Sequence, residues 1–181
     1  MKKITVVIIV IFCCIGNLFS QSFKTDTGYV EFKSSVPLHS FTGTSNHLVG
    51  KISLPDSTVD FYIDLNTLDT GIGKRDRDMR QTLEVEEYPF AEFYGKLSSR
   101  FNYSEQDTQS VTATGKFTLH GISKQIEVNG KLYPNEKGLY LEASWILNLS
   151  DYNIKPPGIL FYRVDEEQEI KIEALLNPLK E

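Results

Sequence analysis

Residues 59–66 read Val-Asp-Phe-Tyr-Ile-Asp-Leu-Asn. Val59, Phe61, Ile63 and Leu65 alternate with Asp60, Tyr62, Asp64 and Asn66. A period of two puts the apolar set on one face of an extended strand and a mostly polar set on the other. The alternation recurs in both directions along the chain. Upstream it takes in Val30 with Phe32, then Leu48, Gly50, Ile52 and Leu54. Downstream, Ala91, Phe93, Gly95 and Leu97 share a face, as do Val111, Ala113, Gly115, Phe117 and Leu119. Ile126, Val128, Gly130 and Leu132 follow, then Leu139 to Leu149 at every second residue, then Ile170, Ile172, Ala174 and Leu176. The pattern predicts about eight strands.

Turn-forming residues separate them: Pro55-Asp56-Ser57, His120-Gly121-Ile122-Ser123, and Pro134 to Gly138. Short connections make neighbours antiparallel, which leaves a sandwich or an up-and-down barrel. Glycine weakens a strand and marks bends or close approaches. Its presence at inward positions 50, 95, 115 and 130 favours a curved sheet, or a cavity, over a densely filled core. One segment breaks the pattern. Residues 70–88, TGIGKRDRDMRQTLEVEEY, are highly charged and lack period two. They predict a helical insert over Arg77–Val85, ended before Pro89. A long connection inside a hairpin-rich domain is uncommon and often functional.

The N-terminus reads as an address. Lys2 and Lys3 precede an apolar run, Ile4 to Ile15, and small residues follow near Ser20. These are the parts of a secretory signal peptide, and the run falls short of the roughly 20 apolar residues a bilayer span needs. The expected boundaries are a signal peptide over residues 1–20 and one domain over 21–181, periplasmic or secreted. Cys13 and Cys14 lie in the leader, so the mature chain holds no cysteine and depends on core burial alone. The full chain of 181 residues has a net charge of −5. Without Lys2 and Lys3, 17 basic side chains face 24 acidic ones, a charge of −7. Such a surface repels phosphate backbones and argues against nucleic acid. No later run is long and apolar enough to span a membrane.

The chemistry-bearing residues show mostly absences. His39, His47 and His120 have no metal-ligand spacing, no G-x-S-x-G or phosphate loop occurs, and Glu84, Glu86, Glu87 and Glu92 read as a solvated acidic cluster. No cofactor, metal or catalytic residue is expected. A barrel of about eight strands has room for one small ligand, and an aliphatic and aromatic interior selects an apolar one.

Three ordered motifs carry a resemblance. Leu68-Asp69-Thr70-Gly71 leads into Arg75-Asp76-Arg77-Asp78-Met79-Arg80 and then Glu87-Tyr88-Pro89-Phe90-Ala91-Glu92-Phe93. Thr114 to Ile126 reads TGKFTLHGISKQI, and Leu149 to Ile154 reads LSDYNI. Together they resemble the T-G, R-D-x-x-L-R, Y-P, T-I-H-G and D-Y-G-I segments of the YceI-like family. The resemblance implies a lipocalin-like antiparallel up-and-down β-barrel, exported and non-enzymatic, that binds a polyisoprenoid or similar long-chain amphiphile. It also implies a helix lying across one barrel end. Asp78 stands where the family often has His, Leu149 where it has Arg and Asn153 where it has Gly. The early segment around Val36 to Gly43 is blurred.

Phe61, Ile63, Phe93, Phe117, Leu141 and Trp145 are the expected cavity lining, although the same side chains also suit a dry core. Arg75, Asp76, Arg80, His120 and Gly121 are the expected structural motif, with the charged trio pinning the helix to the barrel by ion pairs and hydrogen bonds. Two other readings are weighed. In one, an exported interaction or stress protein uses the barrel as a scaffold and the charged insert as a contact. In the other, an enzyme acts through Glu or His, and a histidine bonded to a carboxylate and a ligand bond would favour it.

Overall fold

The computed structural model describes residues 21–36, 39–156 and 164–179. The expected leader, residues 1–20 with Cys13 and Cys14, lies outside them, as do Pro37 and Leu38 of the early segment. Eight antiparallel strands form one closed barrel in sequential order. They are β1 (Ser22–Val36), β2 (His39–Ser53), β3 (Thr58–Asp64), β4 (Phe90–Leu97), β5 (Gln109–Leu119), β6 (Ile122–Asn135), β7 (Gly138–Asn148) and β8 (Glu167–Pro178). β1 pairs with β2 on one edge and β8 on the other, which closes the sheet. The sandwich alternative is thereby excluded.

The alternating residues take the faces that the period of two assigns. Val59, Phe61 and Ile63 are buried and the residues between them are not fully buried. Leu132, Leu139 and Leu176 have no exposed surface. β1 and β2 are longer than their apolar alternation suggests. Their extra length carries small polar residues on the inside: Thr25, Ser34 and Ser45 are buried. Each has a local partner. Ser34 Oγ accepts from Gln168 Nε2 at 3.2 Å, and Ser45 Oγ lies 2.7 Å from Thr67 Oγ1.

The helix α1 spans Gly73–Thr82, earlier than the expected Arg77–Val85. No side chain caps its start, so the usual N-terminal signal is missing from the sequence. Its end is a Schellman turn: Glu84 adopts φ +48°, and Val85 N donates to Arg80 O at 3.1 Å while Glu84 N donates to Gln81 O at 3.2 Å. The acidic run beyond would oppose the helix dipole.

The inward glycines have a measurable purpose. Gly50 sits opposite Phe61, whose ring occupies the space of the missing side chain. Gly95 and Gly115 face each other across β4 and β5. A Cβ on Gly115 would collide with the Tyr94 carbonyl and stand 2.5 Å from Gly95 Cα. Gly115→Val is therefore expected to destabilise the barrel by about 3 kcal/mol, read as a lower urea midpoint. Gly73→Ala, whose Cβ would meet only Arg77 Nη1 at 4.0 Å, is expected to raise the midpoint slightly.

Candidate functional site

Inward side chains of all eight strands surround a cavity of about 540 Å³. Its wall includes Phe61, Ile63, Phe93, Phe117, Leu141 and Trp145. The six expected lining residues thus share one enclosed space. Trp145 meets Phe117 edge-on at 5.8 Å, and Tyr152 meets Phe117 from another side at 5.7 Å. Burial pushes the Tyr152 hydroxyl up to about 12, with the Asp151 charge adding to the effect, so the hydroxyl stays neutral.

One end is closed. Ile52 and Leu132 form the floor; the buried Phe23, Leu139 and Leu176 lie outside the cavity wall, and Tyr103 packs on Phe23 at 5.1 Å. Along β7 and just past it the wall runs from Leu141 to Leu149, about 26 Å of strand at ~3.3 Å per residue, or roughly 20 Å of depth after strand tilt.

The other end carries α1 and, among the described residues, opens beside it. Lys74, Asp78 and Thr82, spaced four apart on one helix face, line this mouth with Arg75, Met79 and Leu83. Ser40, Phe41, Ile154, Pro156, Val164 and Gln168 contribute to the same wall. Sequence reasoning missed Gln168, although one more step back along the β8 alternation from Ile170 reaches it. Gln168 is only 4% exposed, and its Nε2 donates to Ser34 Oγ and to Asp165 O.

The charged trio holds α1 in place by separate means. Asp76 Oδ1 accepts from both Thr70 N (2.9 Å) and Thr70 Oγ1 (2.6 Å). Arg80 Nη2 donates to Asn66 O at 3.1 Å and to Leu68 O at 3.4 Å. Arg75 stands 4.4 Å over the Phe41 ring, a cation–π contact to β2. The ion pairs found among the described residues involve none of the three. Burial alone would raise the Asp76 carboxyl; the two Thr70 hydrogen bonds, with Arg80 and Arg75 nearby, outweigh it and hold the group below the usual carboxylate range.

His120 and Gly121 form a two-residue turn with φ +51° and +71°, the left-handed pair that matches strand twist. A side chain on Gly121 would strike the Tyr88 ring, which lies against His120 at 4.9 Å. His120 Nδ1 donates to the Tyr152 carbonyl at 3.0 Å, and Nε2 lies 2.9 Å from Glu84 Oε2. A histidine–carboxylate pair is therefore present, but neither residue lines the cavity. The contact joins the β5–β6 turn to the segment after α1 and to the 3-10 turn Leu149–Tyr152. Among the described residues no three His, Cys, Asp or Glu side chains are grouped to hold a metal, and no helix is long and apolar enough to cross a membrane.

The sequence model of the YceI-like domain matches residues 22–176, all of the barrel but the last two residues of β8. The chain belongs to the YceI-like domain family. Comparison with curated proteins finds no match. Among solved structures, a polyisoprenoid binding domain from Saccharophagus degradans implicated in plant cell wall breakdown superposes with a TM-score of 0.74 at 17% identity, over 88% of this chain and 99% of that one. BcnA of Burkholderia cenocepacia gives 0.67 at 16% identity, over 82% and 94%. The YceI protein of Campylobacter jejuni gives 0.62 at 18% identity, over 81% and 90%. At these identities the likeness concerns the fold. In this YceI-like barrel the three motifs converge on one end, where Thr70 meets Asp76, Tyr88 meets His120, and His120 meets Tyr152.

Two outcomes follow. Arg80→Ala leaves two carbonyls without their donor and is expected to destabilise by about 1–3 kcal/mol, whereas Arg75→Ala loses one half-exposed cation–π contact worth at most about 1 kcal/mol. Urea unfolding followed by tryptophan fluorescence ranks them. The depressed Asp76 carboxyl contributes stability that is full above its unfolded value, about 3.9, and is lost as pH falls through its lower folded value. The stability gap between wild type and Asp76→Asn is thus expected to be widest near neutrality and to narrow in acid. A gap constant from neutral pH to pH 3 would exclude the carboxylate charge as its source.

Proposed function

We propose that this protein is exported and carries or sequesters a long-chain isoprenoid or similar amphiphile, with the chain inside the barrel and the polar head at the mouth. The observation that carries this reading is the cavity itself: blind at one end, lined by apolar side chains through its depth, with charged side chains only at the helix-covered end. Each methylene moved from water into such a space gains about 0.8 kcal/mol. Phe61, Ile63, Phe93, Phe117, Leu141 and Trp145 would contact the chain. Membership of the YceI-like family and the fold shared with a polyisoprenoid binding domain support the same ligand class. Export rests on the leader pattern of residues 1–20, and the barrel begins at Ser22, directly after the expected cut.

A non-catalytic role fits the placement of the histidine–carboxylate pair outside the cavity. The scaffold reading gains nothing from the geometry of Arg75, Asp76 and Arg80, because Asp76 and Arg80 are engaged with the β3–α1 connection and Arg75 with Phe41 of β2.

Native mass spectrometry of protein purified from exporting cells without organic solvent is the test. The expected spectrum shows a chain beginning at Gln21 with a lipid-sized adduct. Added polyprenol is expected to change the fluorescence of Trp145, the single tryptophan. At a hundredfold excess over Kd it should raise Tm by about 5–10 °C. Absence of adduct, fluorescence change and Tm shift together would overturn the carrier reading.

A further inference from the structure

We propose that Gln168 selects the cavity's ligand by its polar end, accepting at Oε1 a hydrogen bond from an alcohol or N–H head. The ligand class is then an amphiphile whose head donates, as distinct from an ether, an ester or an ionised acid, which only accept. This selectivity rests on the carrier reading above, which leaves the chemistry of the head undefined.

The first observation is where Gln168 stands. The cavity wall is aliphatic and aromatic along the strands. Among its hydroxyl, amide and charged side chains, Ser40, Tyr62, Lys74 and Asp78 are exposed, and Arg75 and Thr82 are partly buried. Among the described residues of that set, Gln168 alone is buried. It pairs with Ser34 of β1 and Leu147 of β7, and the next inward residue of β8, Ile170, pairs with Trp145. Gln168 therefore sits one inward step nearer the α1 end than Trp145. A chain that points at the closed floor presents its head at that end.

The second observation fixes which amide atom faces the ligand. One of the two lies 2.6 Å from the Asp165 carbonyl oxygen. A backbone carbonyl only accepts, so that atom is Nε2, and the oxygen is on the other branch. The second Nε2 hydrogen goes to Ser34 Oγ at 3.2 Å. Neither Ser34 nor Asp165 lines the cavity, whereas Gln168 does. The nitrogen side of the amide is thus turned into the wall, and Oε1 is left on the cavity side. Among the described residues no group donates to Oε1. A buried carbonyl oxygen without a donor is unfavourable, and a donor brought by the ligand removes that penalty.

Apolar burial does not tell one head from another, since each methylene counts alike whatever ends the chain. A placed polar group does. A head without a donor covers Oε1 and leaves it unpaired, which a site of this kind resists. One hydrogen bond to a buried acceptor corresponds to a preference of about tenfold.

Titration of the exported form with geranylgeraniol and with its methyl ether, followed by Trp145 fluorescence, tests the selection. Wild type is expected to bind the alcohol about tenfold tighter than the ether, and the extra methyl of the ether works against that outcome. Gln168→Leu is expected to bind the two alike. Gln168 also anchors Asp165 and Ser34, so the variant loses structural contacts as well; these affect both probes equally and leave their ratio unchanged. Gln168→Met, which keeps the side-chain length, takes its place if Gln168→Leu does not fold. Equal binding of both probes to wild type, or a preference for the alcohol that survives in the variant, would overturn the role of Gln168 and leave the carrier reading standing. Binding of neither probe would overturn the carrier reading, and the selection with it.

Discussion

β1 is hydrogen-bonded along both edges, to β2 and to β8, and the rest of the molecule depends on that double pairing. Closure satisfies the backbone groups that an open sheet would leave at its edges. It also forces the apolar residues of every strand to face the same enclosed volume. Eight strands make a circumference whose interior the inward side chains line without filling, so the cavity follows from strand number and from the glycines that bend the wall. The bulged stretch of β1 between Lys24 and Val30 absorbs the change of register that closure requires.

The barrel ends are finished differently. At one, aromatic and aliphatic side chains pack without remainder. At the other, hydrogen bonds from single side chains tie irregular segments together: Asp76 to Thr70, Arg80 to Asn66 and Leu68, His120 to Tyr152. Such contacts hold a helix whose own sequence offers no start signal and little apolar surface. They account for why short polar motifs, far apart in the chain, mark the same place in space.

The strands were legible because each buries one face, and a buried face writes period two into the sequence. Legibility failed where inward positions are polar. Ser34, Ser45 and Gln168 sit on inner faces but are satisfied by neighbours from other strands or connections, a compensation visible only once the sheet is closed. The helix limits were missed for a related reason: Asp76 serves the start of α1 by reaching back six residues to Thr70, and Glu84 ends it in a left-handed conformation that glycine usually takes. The aromatic and aliphatic wall was readable residue by residue, whereas the mouth is assembled from four separate segments and has no single sequence signal.

The closed floor gives the barrel a sense of length. With Phe23 and Tyr103 sealing the bottom, the chain of the carrier role proposed above would have one direction of travel and a fixed run before it stops. Chains that reach the floor with their polar end level with α1 satisfy both ends at once. Shorter ones leave apolar wall uncovered, and longer ones fold back or hold their head away from the barrel. In the proposed carrier role the molecule would be a gauge, with its scale set by the number of residues between Leu141 and Leu149.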